Sequence, residues 1–340
     1  MTNTRRLRST TSWGDRLRRR LPAAVIAALC LAFAPLAWAE GVGDFPSRPI
    51  KVIVPYPAGG GADLITRLVA QHLGERLKQP VLVENRGGAS NTIGMRAVAT
   101  APKDGYTLGL ATPVFVMTPS LMKDHPYDPL KDFVPVAMTG FTPLVLVVHP
   151  SVPAKTAQEF IALARSKPGS LSFASLGSAT TQGLAAAMFN SMTGIHAIEV
   201  PYKGSAPGLT DLLAGNVQFM FNALPSMIPH VQAGKLRGLG VTSAQRSPLL
   251  PGIPAISEVV PGYQVTTWYA LVAPAGTPRP VVDLLNREIS AIVKLPSVQE
   301  RMKGGGLEPN PMSIEELGAL FKSESAKWAK VIADAKIQPE

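Results

Sequence analysis

The sequence predicts an α/β protein of two domains with mainly parallel sheets, set behind a leader that is removed. Three observations carry this. Strand-like apolar runs alternate with helix-period stripes, the order that parallel βαβ units need. Removing the first 39 of 340 residues leaves 301, enough for two separate cores. Each half also repeats one plan, a glycine-bearing loop between the end of a strand and the start of a helix.

Residues 1–39 stand apart. They hold seven arginines (Arg5, Arg6, Arg8, Arg16, Arg18, Arg19, Arg20) against one acid, Asp15, followed by an apolar run over 21–38 broken only by Pro22 and Pro35. The run ends in Ala37-Trp38-Ala39, with small residues at the two positions a signal peptidase reads. A membrane anchor is the competing reading, because the run approaches the length of a span. The A-x-A site and the polar chain behind it favour a cleaved signal peptide and a periplasmic location. Without the leader, 26 basic and 22 acidic residues remain, so a net charge of +10 falls to +4. No basic cluster is left to suggest a nucleic-acid partner. The only cysteine, Cys30, lies in the leader, which removes disulfides, thiolate metal sites and cysteine nucleophiles together.

The first strand is Ile50-Lys51-Val52-Ile53-Val54, stopped by Pro55. After a loop over 56–61, a helix runs over about 62–78 with Ile65, Leu68, Val69, Leu73 and Leu77 on one stripe. Asp63 lies in its first turn, where a carboxylate complements the helix dipole and free N–H groups. A short strand at 81–84, a loop over 85–91, a helix and a strand at 106–112 follow. The run Leu144-Val145-Leu146-Val147-Val148 is a buried strand that crosses into the second domain. There, Thr156-x-x-Glu159 is a capping box opening a helix. A strand at 171–174, a Gly/Ser/Thr loop at 176–181, a helix at 182–193 and a strand at 197–200 come next. The turn Pro201-Tyr202-Lys203-Gly204 enters a helix ending near 215, and strands at 217–221 and 236–241 precede a proline-rich connector over 247–261. The chain crosses back at 265–273. Thr277-Pro278 reads as a capped helix start with proline first. Ser313-x-x-Glu316 is a second capping box, opening a last helix whose Leu317, Leu320, Phe321, Trp328, Val331 and Ile332 can pack on the first domain. The division implied is 45–143 with 264–340 as lobe 1, and 144–263 as lobe 2.

The loop over 56–61 is the most informative local feature. Glycines allow close backbone approach, and the helix start behind them offers about half a positive charge, a ready anion site. A tight turn is the plainer reading of the same glycines. No Gly-Lys-Ser/Thr follows to make a P-loop, and Asp63 and Leu64 break the dinucleotide fingerprint. The loop Gly177-Ser178-Ala179-Thr180-Thr181 offers hydroxyls and amides at another helix start, or simply a cap. Two such loops in matching places would put a helix end on either side of one ligand. Catalytic readings fare worse. His72, His125, His149, His196 and His230 are scattered without metal-ligand spacing, and no G-x-S-x-G or nucleophile–base pair supports a hydrolase or isomerase. Lys203 reads as a carboxylate partner, a Schiff-base amine or a surface lysine. Asn222, placed just after the strand at 217–221, offers an amide to a ligand or ends the strand.

The ordered motifs Tyr56-Pro57-Ala58-Gly59-Gly60-Gly61-Ala62-Asp63, Glu84-Asn85-Arg86-Gly87-Gly88-Ala89, Pro102-Lys103-Asp104-Gly105-Tyr106-Thr107-Leu108, Val200-Pro201-Tyr202-Lys203-Gly204 and Ala273-Pro274-Ala275-Gly276-Thr277-Pro278 resemble the substrate-binding proteins of tripartite tricarboxylate transporters, the Bug family. The resemblance implies a type II periplasmic-binding-protein fold, in which two α/β lobes joined by two crossing strands close on a ligand like a Venus flytrap. It implies a small carboxylate ligand: a di- or tricarboxylate, an acidic amino acid or an aromatic acid. Carried across, the ligand-binding residues are Tyr56, Ala58, Gly59, Gly60, Asp63, Ser90, Asn91 and Thr112 in lobe 1, and Ser178, Ala179, Thr180, Tyr202, Lys203 and Asn222 in lobe 2. It implies no cofactor, metal or catalytic residue, a monomer, and membrane transporter subunits as partners, or a receptor kinase if the role is sensory. Relatives commonly carry Phe at Tyr56 and Asp at Asn222, so the ligand itself does not carry over.

Overall fold

Three parallel strands open the fold: β1 (Ile50–Val54), β2 (Val81–Asn85) and β3 (Thr107–Ala111), with β1 paired to both others. The computed structural model describes residues 44–88, 91–177, 180–334 and 337; the leader with its cleavage site, and Ser90, Ser178 and Ala179, lie outside the described residues. Helices α1 (Gly61–Leu77) and α2 (Thr92–Ala99) connect the strands. The expected stripe of α1 is buried at Ile65, Leu68, Val69 and Leu73 against Val52 and Val54 of β1. Each such side chain contributes about 1.5–3 kcal/mol.

Two elements here exceed the sequence reading. Helix α3 (Pro113–Leu121) follows β3 directly; its interior Pro119 and the unbroken apolar stretch Val114-Phe115-Val116-Met117 hide the helical period. Strand β4 (Phe133–Val148) is 16 residues long, whereas only 144–148 is legible. Its stretch before Leu144 carries Pro135, Gly140, Thr142 and Pro143, which blunt a strand signal, and its register shifts twice there.

The second lobe holds α4 (Ala157–Ser166), β5 (Ser172–Ser175), α5 (Thr181–Thr193), β6 (Ile198–Pro201), α6 (Ser205–Leu213), β7 (Phe219–Ala223), α7 (Leu224–Gln232) and β8 (Arg237–Val241). Helix α7, with its interior Pro229, escapes the sequence reading, and β7 sits two residues later than expected. The proline-rich connector contains a short 3-10 turn, Ile256–Glu258. Then come β9 (Thr266–Pro274), α8 (Arg279–Ile292), α9 (Pro296–Gly304) and α10 (Ile314–Asp334). Thr277 does not cap α8: its hydroxyl donates to the Pro274 carbonyl at 2.8 Å, and the helix starts at Arg279. The Ser313 capping box forms on both sides, with Glu316 N donating to Ser313 Oγ and Ser313 N to Glu316 Oε2. At Thr156 only the hydroxyl half forms, because the Glu159 carboxylate takes the Lys155 amide instead.

The strands make one nine-stranded sheet in the order β2-β1-β3-β9-β4-β7-β5-β6, with β8 also on β4. It is mixed rather than mainly parallel. The outer groups β2-β1-β3 and β7-β5-β6 are parallel within themselves, while every pairing made by β4 and β9 is antiparallel. The reason is connectivity: a strand that carries the chain into the second lobe must be matched by one running the other way. One apolar core extends through both lobes from Phe115 and Phe133 to Phe160, Phe189 and Tyr263. Helix α10 seals it, stacking Phe321 on Trp268 with ring centroids 5.3 Å apart. Helix α10 packs on α3 and β4 as expected, and also on α5 of the second lobe.

Candidate functional site

Strand register places two sets of loops opposite each other. β3 advances from Gly109 to Ala111 as β9 falls from Val272 to Ala270, and β9 is antiparallel to β4, so β3 points toward rising β4 numbers. β7 advances from Phe219 to Ala223 while β4 falls from Val148 to Leu144. The carboxyl ends of the two parallel groups therefore point at each other along β4. Ala111 stands at the level of Met138 and Ala223 at the level of Leu144. The extended chain between those levels spans about 20 Å at roughly 3.3 Å per residue. Ligands of open α/β sheets bind beyond strand carboxyl ends. Here two such edges face one another, with β4 and β9 as the floor between them.

In the first lobe, the loop after β1 is held by side chains and presents main chain. Gly59 has φ +92°, a conformation glycine adopts freely, and Gly60, the residue before α1, makes no side-chain cap. Ala58, Gly59, Gly60 and Gly61 are exposed. Asp63 faces back into the loop: its Oδ2 accepts the Gly59 amide at 3.0 Å, and both its oxygens accept from Arg67 Nε at 3.0 Å. Asn85 Nδ2 donates to Asp63 Oδ1 and to the Tyr56 carbonyl, both at 3.0 Å, while Arg67 Nη2 donates to Asn85 Oδ1 at 2.9 Å. Hydrogen bonds from Arg67 hold the Asp63 carboxyl below its ordinary range. The Tyr56 hydroxyl lies 2.5 Å from Thr112 Oγ1, which ties the loop to the start of α3, and burial pushes the phenol up. Asn91 sits in the left-handed region at φ 74° and precedes α2. Gly94 lies so close to Pro55 and the Arg86 carbonyl that α2 starts against the same strand end.

The second lobe repeats the device. Thr180 caps α5, its Oγ1 accepting from Gly183 N at 3.0 Å and donating to the Gly177 carbonyl at 2.7 Å. Replacing Thr180 with Ala is expected to cost about 1 kcal/mol, a fall in Tm of about 2–4 °C by thermal melt. Tyr202 donates its hydroxyl to Asp211 Oδ2 at 2.6 Å; that bond, with burial second, pushes the phenol up to about 12. Lys203 is exposed, immediately before Gly204 at the start of α6. Asn222 lies inside β7, opposite Val145, not after a strand end. It is buried, its Nδ2 donating to Ser205 Oγ and its Oδ1 accepting from Ala223 N at 2.8 Å. The amide expected to face a ligand is thus committed to joining β7 to α6.

The two edges also meet at one flank. A Cβ on Gly305 would stand 3.2 Å from Leu64 Cδ2 in the first turn of α1, and one on Gly306 would overlap the Pro225 ring at the start of α7. The end of α9 therefore touches the first helix turn of both edges. The structure brings Tyr56, Ala58, Gly59, Gly60, Asp63, Asn91 and Thr112 to one strand edge, and Thr180, Tyr202, Lys203 and Asn222 to the other. Sequence reasoning missed Arg67, Asn85 and Ser205. The signal for the first two was present: a cation four residues after Asp63, and an amide leading into a glycine-rich loop. Among the described residues, no group of three His, Cys, Asp or Glu is placed to hold a metal ion.

Side chains that brace loops, and helix starts α1, α3, α6 and α7 that no side chain caps, are what a two-lobed receptor for a small solute requires. The model of the tripartite tricarboxylate transporter receptor family matches residues 65–337. BugT of Bordetella pertussis (strain Tohama I) is 35% identical over 308 residues, 89% of this chain and 94% of its own length. The R. palustris protein Rpa4515, solved with adipate, is 36% identical, with a TM-score of 0.73 over 87% of this chain and 100% of its own. MatC from Rhodopseudomonas palustris, solved with bound malate, is 30% identical, with a TM-score of 0.69 over 85% of this chain and 100% of its own. The chain belongs to the tripartite tricarboxylate transporter receptor family, whose members are periplasmic solute-binding receptors.

Proposed function

We propose that this protein captures a small carboxylate in the cleft between its lobes and delivers it to membrane subunits of a tripartite tricarboxylate-type transporter, binding its ligand without turnover. The observation that carries this is the pair of opposed strand edges, each lined by helix starts whose amides no side chain caps. A carboxylate is the small solute that several main-chain donors hold without a formal cation. The adipate and malate named for two similar structures supply the first probes. We place the lobe boundaries at 143/144 and 263/264, and take residues 1–39 as an export signal cleaved after Ala39. The direct contacts we assign to the main chain of Ala58 and Gly60, to Ser90, Asn91 and Thr112, and to Ser178, Ala179 and Lys203, while Gly59 and Thr180, whose donors go to Asp63 and Gly177, shape the two loops. Tyr56, Asp63, Tyr202 and Asn222 serve as braces behind them.

Titration calorimetry with adipate, malate, an acidic amino acid and benzoate tests the reading. At least one is expected to bind at about micromolar Kd, roughly 8 kcal/mol, and to raise Tm; silence from all four sinks it. Gly60 gives the cleanest local variant. Its φ of −82° suits any residue, and a Cβ there meets nothing within 4 Å, whereas Gly59 at φ +92° would add backbone strain. Gly60→Val should therefore melt with the wild type, yet bind the ligand at least tenfold more weakly. Unchanged affinity would show that the first loop is not the cradle.

A further inference from the structure

The floor of the cleft holds a phenol that neither the motifs nor the loop arrangement accounts for. In β9, Ala270 pairs with Ala111, the last residue of β3, so Tyr269 lies at the level where β3 gives way to Thr112 and α3. Its other neighbour is Gly140 of β4. Trp268 and Phe141, the next cross-strand pair, line a hollow of about 450 Å³ together with Glu308 and Glu324. Successive side chains of a strand alternate faces, so Tyr269 projects to the other side. There it belongs to the same apolar cluster as Ile65 and Leu68 of α1. Its hydroxyl would stand 3.1 Å from a Cβ on Gly61, the first residue of α1. Thr142, the residue of β4 that precedes the crossing at Pro143, stands two positions beyond Gly140 and so on the same face, close enough to act on the phenol. Tyr56, whose hydroxyl meets Thr112, is close enough to feel Tyr269 electrostatically.

Two hydroxyl pairs therefore lie near one another at this end of β3: Tyr56 bonded to Thr112, and Tyr269, at the first residue of α1, beside Thr142. The two pairs sit differently. Tyr56 and Thr112 belong to the first-lobe loops, whereas Tyr269 and Thr142 stand on the two crossing strands, at the centre of the span between the facing edges. A donor placed there reaches a ligand that both lobes hold.

We propose that Tyr269 contacts the ligand, donating its phenolic proton to a carboxylate oxygen seated on the α1 amides while Thr142 donates to the phenol oxygen and fixes its direction. This rests on the carboxylate reading above. A neutral donor suits the place. Burial keeps the phenol protonated well past neutral pH, so it holds an anion at any pH at which the protein works. It is buried, with 8% of its surface exposed. It also gives the site selectivity, because an ester or amide in place of the acid is a weaker acceptor at that point.

The test is calorimetry on wild type, Tyr269→Phe, Thr142→Val and Tyr263→Phe, each with adipate, malate and the dimethyl ester of the tighter ligand. Tyr263 is a buried phenol bonded to the Ala185 carbonyl at 3.0 Å in the second lobe, and it controls for the general loss of a buried hydroxyl. Tyr269→Phe is expected to bind the acid about 10- to 100-fold more weakly, with a smaller loss for the ester. Thr142→Val should lose about threefold, and Tyr263→Phe should bind like the wild type. A Tyr269→Phe protein that binds within twofold of wild type overturns the assignment while leaving the receptor reading intact. So does an equal loss for acid and ester, which would mark a purely structural role. If Tyr269→Phe proves unfolded in its ligand-free melt, Thr142→Val decides, and unchanged acid affinity there overturns the assignment. A wild type that binds none of the acids overturns the carboxylate reading and this assignment with it.

Discussion

Gly306→Ala is expected to lower stability by about 2–5 kcal/mol and to weaken ligand binding at least tenfold. Two costs combine. Gly306 has φ +70°, where a side chain costs roughly 1–2 kcal/mol. In addition, its Cβ would overlap the Pro225 ring, backbone-fixed atoms that cannot swing aside, and such overpacking costs about 1–3 kcal/mol. Gly234→Ala separates the two. Gly234 has nearly the same φ, +68°, but a Cβ there meets nothing within 4 Å, so only the backbone cost should appear. The binding effect follows from position. Pro225 opens α7 three residues after Asn222, and Gly305 beside Gly306 touches Leu64 in α1. Relief of the overlap therefore pushes the second-lobe edge away from the first. Gly306→Ala with Pro225→Gly, which removes the proline Cβ as well as its ring, should recover the overlap part of the loss and leave the backbone part, a coupling a double-mutant cycle reads directly. Melting and calorimetric curves for Gly306→Ala that match Gly234→Ala would show that the two lobes do not bear on each other here.

Some of this arrangement is legible in the sequence, and some is not, for reasons visible in particular residues. β1, α1 and the loop between them read correctly, to within a residue at the helix start, because apolar period and glycine position are local properties. The crossing strand β4 is legible only from Leu144 onward. The stretch that builds the cleft floor spends its residues on Pro135, Gly140, Thr142 and Pro143, whose polarity and bends serve the crossing and erase the strand pattern. The same holds for α3 and α7, where an interior proline is tolerated because tertiary packing overrides propensity. At the site, residue types were found but some directions were not. Asn222 and Tyr202 are where sequence places them, yet their polar atoms turn toward Ser205 and Asp211. A side chain's direction depends on neighbours distant in sequence, and those only the fold supplies.

Asp63 carries the second large effect, because one buried carboxylate holds the whole first loop. Sequence alone supports about 0.5–2 kcal/mol for Asp63→Ala, the ordinary worth of a helix-start residue. The structure raises that. Removal leaves the Gly59 amide and the Asn85 amide group without their acceptor and Arg67 without its partner. The Arg67 pair counts for little, since that side chain is half exposed. The two lost acceptors count for more, and the expected loss is about 2–4 kcal/mol. Affinity should fall with it, by at least tenfold, since Gly59 then leaves the φ of +92° that aims its neighbours outward. Acidity supplies an independent check. Arg67 first, then Gly59 and Asn85, hold the Asp63 carboxyl below its unfolded value of about 3.9. A group depressed on folding contributes stability that is complete above its unfolded value and is lost as pH falls through the folded one. The difference in stability between wild type and Asp63→Ala should therefore stay constant from pH 8 to pH 5, then narrow below about pH 4 as the native carboxylate takes up its proton. Urea melts at pH 7, 5, 4 and 3 measure it. A difference that grows toward acid would mean that Asp63 is protonated in the native loop, and the network drawn around it would have the wrong charge.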